Sequence, residues 1–457
     1  MIMEISIIFF GAIVFLAHLF VAVFEKTRIP DVLPLIFLGV LLGPVFGLVR
    51  PSDFGNIADI FITISLIVIL FQSGLELKLS QIRDSWLASS KLAVLNFFGS
   101  LIIITLFGTI LLNTDLVSSL ILASILAGTS FGVVIPLVSK LTVSNNCKTT
   151  LTIESAFSDL LCIVFTLGFL GMAHMNKIDI ISVFQGILFS FVVASIIGVV
   201  AGMFWSYILN HIRHIENGIV LTLAFSLVVY GLSELVGSSG AIAVLFLGII
   251  SGNMKSFRRL KYFGFLAGAE EKITTFNMIE KTFISEAVFL FKIFFFLFIG
   301  ISIQMSNPYL IACGVLITIA VYLVRIIATR WSVKKDGFSR VDASVISAMG
   351  PKGLVAAVLA ALVVKEQISS VLVIQDVVYT VILFSIITTT ILAFMLEKGY
   401  FVGIYGIIFS GYPDKVKKDS KEHSERLVSS RLTITGLRGK SRADVKKHRN
   451  KSKKKKS

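Results

Sequence analysis

Charge is the first thing this sequence lacks. Only 15% of its 457 residues are Asp, Glu, Lys or Arg, against 56% hydrophobic, and the mean hydropathy is +0.91. A soluble domain of this size could not hide so much apolar surface, so that class is excluded. Cysteine is also scarce. Cys147, Cys162 and Cys313 lie in or beside apolar segments with no CxxC spacing. They read as small core residues, which excludes a disulfide or zinc framework. A cleavable signal is missing as well. Glu4 stands where a basic region would be, and the apolar run from Ile5 to Phe24 has membrane-spanning length. Nothing points to an enzyme or to a cofactor. The net charge of +15 misleads about partners, because Tyr412 to Ser457 holds 17 Lys/Arg against 5 Asp/Glu. Most of the excess is therefore in the tail.

What is present is a series of apolar runs separated by short polar breaks. They predict thirteen spans, near 5–24, 33–49, 56–77, 92–112, 116–139, 147–172, 179–208, 218–236, 240–253, 283–303, 308–331, 343–364 and 370–397. With the C-terminus in the cytoplasm and the N-terminus outside, the cytoplasmic loops carry 18 Lys/Arg and the outer loops 3. That satisfies the positive-inside rule, so span count and orientation support each other.

The chain also repeats itself. Leu35 to Gly43 resembles Leu245 to Gly252, aligned on Phe-Leu-Gly, and Ala127 to Val134 resembles Met349 to Ala356. The offsets are 209 and 222 residues, and seven spans separate each matched pair. An odd separation makes the two copies cross the membrane in opposite directions, as in an inverted-repeat transporter. The second match carries helix breakers in mid-span: Gly128-Thr129-Ser130-Phe131-Gly132 in span 5 and Gly350-Pro351-Lys352-Gly353 in span 12. Discontinuous helices leave carbonyls and helix-end dipoles at membrane depth, where they can face a cation. The plainer reading of one such segment is a kinked packing helix; two at matched positions favour function. Lys352 is expected to offset the carbonyl ends of the broken helices.

Span 6 holds two acids inside an apolar run, Glu154 and Asp159. Ionised groups there are costly and usually functional. Glu154 shares a helix face with Ser158, and Ser155 with Asp159, because residues four apart stack. The two acids are five apart and point differently. Arg325, in span 11, is expected to pair with Glu154, since a buried guanidinium pairs best with a carboxylate. The alternative is that it snorkels to the cytoplasmic edge beside Arg330. Asp159 is then the available carboxylate. Beside Ser155 and unwound carbonyls it makes a hard oxygen site that can hold a small cation or a proton, but not both. Glu286 and Lys292 in span 10 form a local pair or face a cavity, and read as structural. Gln72 and Glu76 end span 3, with Glu76 at the cytoplasmic edge.

These segments resemble the monovalent cation/proton antiporter superfamily, its NhaP-like sodium/proton exchanger branch in particular. The resemblance covers residues 5–400. It rests on Arg28-Ile29-Pro30-Asp31 with Leu38 to Pro44, Leu70 to Leu75, Glu154-Ser155 through Asp159, Phe298-Ile299-Gly300, Arg325, and Gly350 to Gly353. It implies an all-α polytopic membrane protein of about thirteen transmembrane helices, with inverted six-helix repeats, two crossed discontinuous helices, and a homodimer with a moving core. By residue, it implies Asp159 as the ion- and proton-binding aspartate, Ser155 as a ligand beside it and Thr129 as a backbone ligand. Glu154 and Arg325 become the buried structural ion pair. Lys352 stands where the family usually has Arg, with Ser130 and Ser158 supporting the breaks. Further positions depart from the pattern: Ser158 replaces Asn, Ser130 replaces an acid of the first break, and Gln72 replaces an acid of span 3. Two polar or acidic supports of the cation site are thereby weakened.

The functional expectation is a secondary antiporter exchanging Na⁺ or K⁺ for H⁺ at one intramembrane Asp by alternating access, in a bacterial or archaeal cell membrane. A proton-uncoupled channel or efflux system on the same scaffold is an alternative, as is a transport-deficient regulator. Residues 1–400 are expected to form the exchanger domain and 412–457 a disordered basic tail. The tail is either a solvated topological anchor or a contact for anionic lipid; nucleic acid is not an expected partner.

Overall fold

The computed structural model describes residues 11–19 except 13 and 17, then 32–77, 79–175, 180–212, 218–257, 278–303, 307–335, 337–365, 370–398 and 402–414. All regular structure among the described residues is helical. The described residues among 11–19 belong to α1. Then follow α2 (Val32–Val40), continued by a π-turn at Leu41–Val45 around Pro44, α3 (Gly55–Glu76), α4 (Leu79–Ile110), α5 (Leu116–Ala127), α6 (Phe131–Lys140), α7 (Asn145–Met175) and α8 (Ile180–Ile212). The remainder are α9 (Gly218–Leu235), α10 (Gly240–Phe257), α11 (Met278–Ser302), α12 (Pro308–Ser332), α13 (Arg340–Ala348), α14 (Leu354–Lys365), α15 (Val371–Lys398) and α16 (Val402–Ile408).

Spans 2 to 13 each correspond to one described helix or to a helix pair; most of span 1 lies outside the described residues. Seven described segments are long and apolar enough to cross a membrane, and five shorter apolar helices occupy the other positions. Several helices overrun their hydropathy windows. Thus α4 starts at Leu79, a dozen residues before the apolar run, because polar turns continue the hydrogen-bonded ladder beyond the depth that hydropathy reports. Spans 5 and 12 are interrupted where the breakers stand, giving α5/α6 and α13/α14. Helix starts carry sequence-encoded caps. Asp115 accepts a hydrogen bond from the Ser118 amide at 3.0 Å ahead of α5, Asn307 caps α12, and Ser339 with Asp342 forms a capping box on α13.

Packing sorts the helices into two groups. The broken helices lie with α4, α7, α12 and α15, while α2, α3 and α8 to α11 pack among themselves. The second group is held by two glycine crossings. A Cβ on Gly39 (α2) would lie 2.8 Å from the Gly300 Cα (α11) and 2.2 Å from the Leu297 carbonyl oxygen. A Cβ on Gly74 (α3) would lie 2.9 Å from the Gly248 Cα (α10) and 2.4 Å from the Leu245 carbonyl oxygen. Gly39 and Gly248 are the glycines of the Phe-Leu-Gly match, and Gly74 and Gly300 sit on spans 3 and 10, again seven apart. Each repeat therefore lends a helix to the other through the same close contact. Small residues let backbones approach where lipid gives no hydrophobic drive.

Residues 402–414 pack onto the same body: Tyr412, where the basic tail is expected to begin, is 4% exposed, and its hydroxyl donates to the Val333 carbonyl at 2.7 Å. The Arg330 guanidinium donates to the Ile408 carbonyl at 2.7 Å, and Arg340 bonds Pro413 through its amide and Asp414 through its side chain. Aromatic residues Tyr405, Phe409 and Tyr412 seat this segment against the α12–α13 corner, which composition alone did not reveal.

Candidate functional site

The two broken helices meet at their breaks. The Ser130 amide donates to the Pro351 carbonyl at 2.9 Å, and a Cβ on Gly353 would fall 2.2 Å from the Ser130 Oγ. Ser130, at the start of α6, makes no side-chain cap of its own. Thr129, Ser130 and Lys352 are all buried.

Each half-helix end meets a group of suitable charge. The ammonium of Lys352 donates to the Gly128 carbonyl at 2.6 Å, at the C-terminal end of α5. The Asp159 carboxylate accepts from the Phe131 amide at 3.2 Å, at the N-terminal end of α6. A cation is favoured at a helix C-terminus and an anion at an N-terminus. One break thus separates a buried positive charge from a carboxylate. Two residues that sequence reasoning missed hold the break backbones. Cys162 Sγ accepts from the Gly128 amide at 3.1 Å, and Ser385 Oγ accepts from the Lys352 amide at 2.9 Å. The repeat was the available signal, since the 222-residue offset carries Cys162 to within one residue of Ser385.

Glu154 and Arg325 are both fully buried and form a fork: Nη1 to Oε1 and Nη2 to Oε2, each 3.1 Å. Nε of Arg325 donates to the Ile346 carbonyl in the last turn of α13 at 3.0 Å, and Nη1 also donates to the Thr129 Oγ1 at 2.9 Å. One guanidinium therefore ties α12, α7 and both breaks together. Ser158 donates to the Glu154 Oε1 at 3.2 Å. The Thr129 hydroxyl is used structurally, so its carbonyl is the oxygen it has for a ligand. Ser155, buried one turn before Asp159, donates to the Thr152 carbonyl at 3.2 Å and keeps lone pairs to offer. The described residues give Asp159 one side-chain hydrogen bond and no ion-pair partner.

Beside this centre is a cavity of about 200 Å³ between α3, α6, α11 and α14. Ser130 and Phe131 line it, so it ends one peptide from the Asp159 carboxylate. Gln72, Glu76 and Lys292 line it as well. The Gln72 amide donates to the Glu76 Oε1 at 2.8 Å and to the Ser285 Oγ at 3.3 Å. Lys292 faces this cavity, whereas Glu286 is exposed.

Comparison with known proteins agrees with this architecture. Residues 11–398 match the family described as sodium/hydrogen exchanger, transmembrane. Among curated relatives, Na(+)/H(+) antiporter 1 of Methanocaldococcus jannaschii is 24% identical over 369 residues, covering 77% of this chain and 82% of that protein. The probable Na(+)/H(+) antiporter 2 of the same organism is 25% identical over 370 residues, covering 75% and 80%. A solved sodium proton antiporter from M. jannaschii at pH 8 superposes with a TM-score of 0.71 at 21% identity, over 85% of this chain and all of that one. That likeness shows an NhaA/NhaP-like fold, with the inverted repeats and crossed breaks derived above. By the match over most of its length, and by the crossed broken helices that the match spans, this multi-pass membrane chain belongs to the sodium/hydrogen exchanger family.

Proposed function

We propose that the protein exchanges Na⁺ for H⁺ across a membrane, with the two ions competing for Asp159. The observation that carries this is the division of labour in α7. Arg325 satisfies Glu154 with a two-pronged ion pair, while Asp159 stands at the N-terminus of α6 with a single backbone donor. A carboxylate of that kind can bind a cation or a proton, and each expels the other. Ser155 Oγ and the Thr129 carbonyl complete the oxygen set for the cation. Lys352 and the Arg325–Glu154 pair hold the geometry without taking the ion, and Ser130 and Ser158 support the breaks. The relatives are named for sodium and proton exchange, and give the potassium, channel and regulator readings no support.

The topology belongs to the same reading. The distribution of Lys/Arg between loops supports a cytoplasmic C-terminus and an outer N-terminus in a cell membrane. A homodimer, and contact of the basic tail with anionic lipid, are further parts of the proposal. The tail after Asp414 lies outside the described residues.

Proteoliposomes with an internal pH dye test the core claim. Added Na⁺ should move protons, K⁺ should move fewer, and Asp159→Asn should be silent while folding normally. Dye movement that persists in Asp159→Asn would rule out this carboxylate as the carrier. Cation flux without proton movement would convert the reading to a channel.

A further inference from the structure

The cavity beside the breaks is an odd entrance for a cation. It is walled from one side by Ile69, Gln72, Ser73 and Glu76, a single stripe of α3, and from the other by Val288, Lys292 and Phe296, a single stripe of α11. Its floor is Ser130 and Phe131, whose amide holds Asp159. Among the lining residues two are charged, Glu76 and Lys292, and they carry opposite signs. A vestibule that concentrates cations is expected to be lined by negative charge, because a low-dielectric cleft focuses the field of its walls. Here the ammonium of Lys292 offsets the one carboxylate.

We propose that Lys292 is a tethered cation in the route to Asp159, a specificity-determining residue whose charge sets how much sodium is needed to fill the site. Glu76 is its counterweight. The carboxylate attracts the arriving ion, and its orientation is fixed by the Gln72 amide, which bonds it and Ser285 together. Lys292 lowers the cation concentration that this attraction builds up. The residue is placed to do so by its helix stripe: Val288 and Phe296, four residues to either side, anchor the same face of α11 and are both buried. Lys292 lines the cavity, whereas Asp159 is not among the residues that line it, so the proposed effect runs through the field. It should therefore appear in KM for Na⁺ and leave the maximal rate nearly unchanged.

The inference rests on Na⁺/H⁺ exchange at Asp159, and its test separates the two. Sodium-dependent dye signals are measured in proteoliposomes across a range of Na⁺ for the unaltered chain, Lys292→Gln, Lys292→Arg and Glu76→Gln. Lys292→Gln should lower KM roughly three- to tenfold, the scale of removing one unit charge through a dielectric between interior and water. Lys292→Arg keeps the charge and should keep KM, and Glu76→Gln should raise it. If the unaltered chain shows no sodium-dependent signal, the exchange reading and this inference fail together. If it does and Lys292→Gln leaves KM unchanged, or Lys292→Arg and Lys292→Gln shift it equally, the inference alone fails. If Lys292→Gln does not fold, Lys292→Met, which also removes the charge, is read in the same way.

Discussion

Arg325 is the residue on which most of the site depends, and its energetics are asymmetric. Burying an ion pair costs several kcal/mol of desolvation per ion, which the pair attraction only repays when every donor is used. Here the fork to Glu154, the bond to Thr129 and the bond to the Ile346 carbonyl use four of the five N–H donors. Arg325→Met leaves Glu154 charged and buried, and should cost about 3–5 kcal/mol. Glu154→Gln should cost less, because a neutral amide still accepts from the guanidinium. Thermal unfolding in detergent, read with and without the partner change, checks the order; equal losses would show that the pair is not the unit of stability. Arg325→Lys should behave more like Arg325→Met, since a point charge on a flexible stem cannot serve three elements at once.

At the scale of elements, close approach and capping set the expectations. Gly39→Ala places a Cβ 2.2 Å from the Leu297 carbonyl oxygen, so α2 and α11 must part, at a cost of about 1–3 kcal/mol. Gly231 in α9 has nothing within 4 Å of the corresponding point. Gly231→Ala should be neutral, or stabilising by up to about 1 kcal/mol through helix propensity. A Gly39→Ala variant as stable as Gly231→Ala would mean that the crossing yields freely. The cap of α5 adds a pH dependence. Burial raises the Asp115 carboxyl, but hydrogen bonds from Ser118 outweigh it and hold the group below the usual aspartate value. A depressed folded-state value stabilises above the unfolded value of about 3.9, and the gain is lost as pH falls through the lower folded one. Asp115→Asn should thus narrow the stability difference between neutral pH and about pH 3. An unchanged acid profile would mean the cap is not titrating with folding.

At the scale of the whole molecule, the proposed competition at Asp159 makes a quantitative demand. If Na⁺ and H⁺ exclude each other at Asp159, raising Na⁺ tenfold should move the acid limit of exchange about one pH unit lower, by linkage. Dye-based rates at several Na⁺ concentrations test this directly; an acid limit independent of Na⁺ would require separate sites. Lys292→Gln should displace the whole family of curves along the Na⁺ axis without changing their spacing.

Much of this was legible in the residues. The apolar runs determined a polytopic helical chain, because in lipid every backbone group must be satisfied within a helix. The two breaker motifs located the interruptions, and a charge at membrane depth singled out Glu154, Asp159, Arg325 and Lys352. Local pattern could not say which groups meet. That Lys352 faces the Gly128 carbonyl and Asp159 the Phe131 amide depends on how two distant breaks cross. So does the recruitment of Cys162, which read as a small core residue, and of Ser385, which no local pattern marked. The seating of Tyr412 on Val333 likewise escaped composition, since a few buried aromatics are outweighed by the basic residues that follow them. Lys292 shows the division most clearly. Its presence in a span was visible, but its sign matters only because α3 and α11 place it with Glu76 in one cavity, and that pairing belongs to the tertiary structure alone.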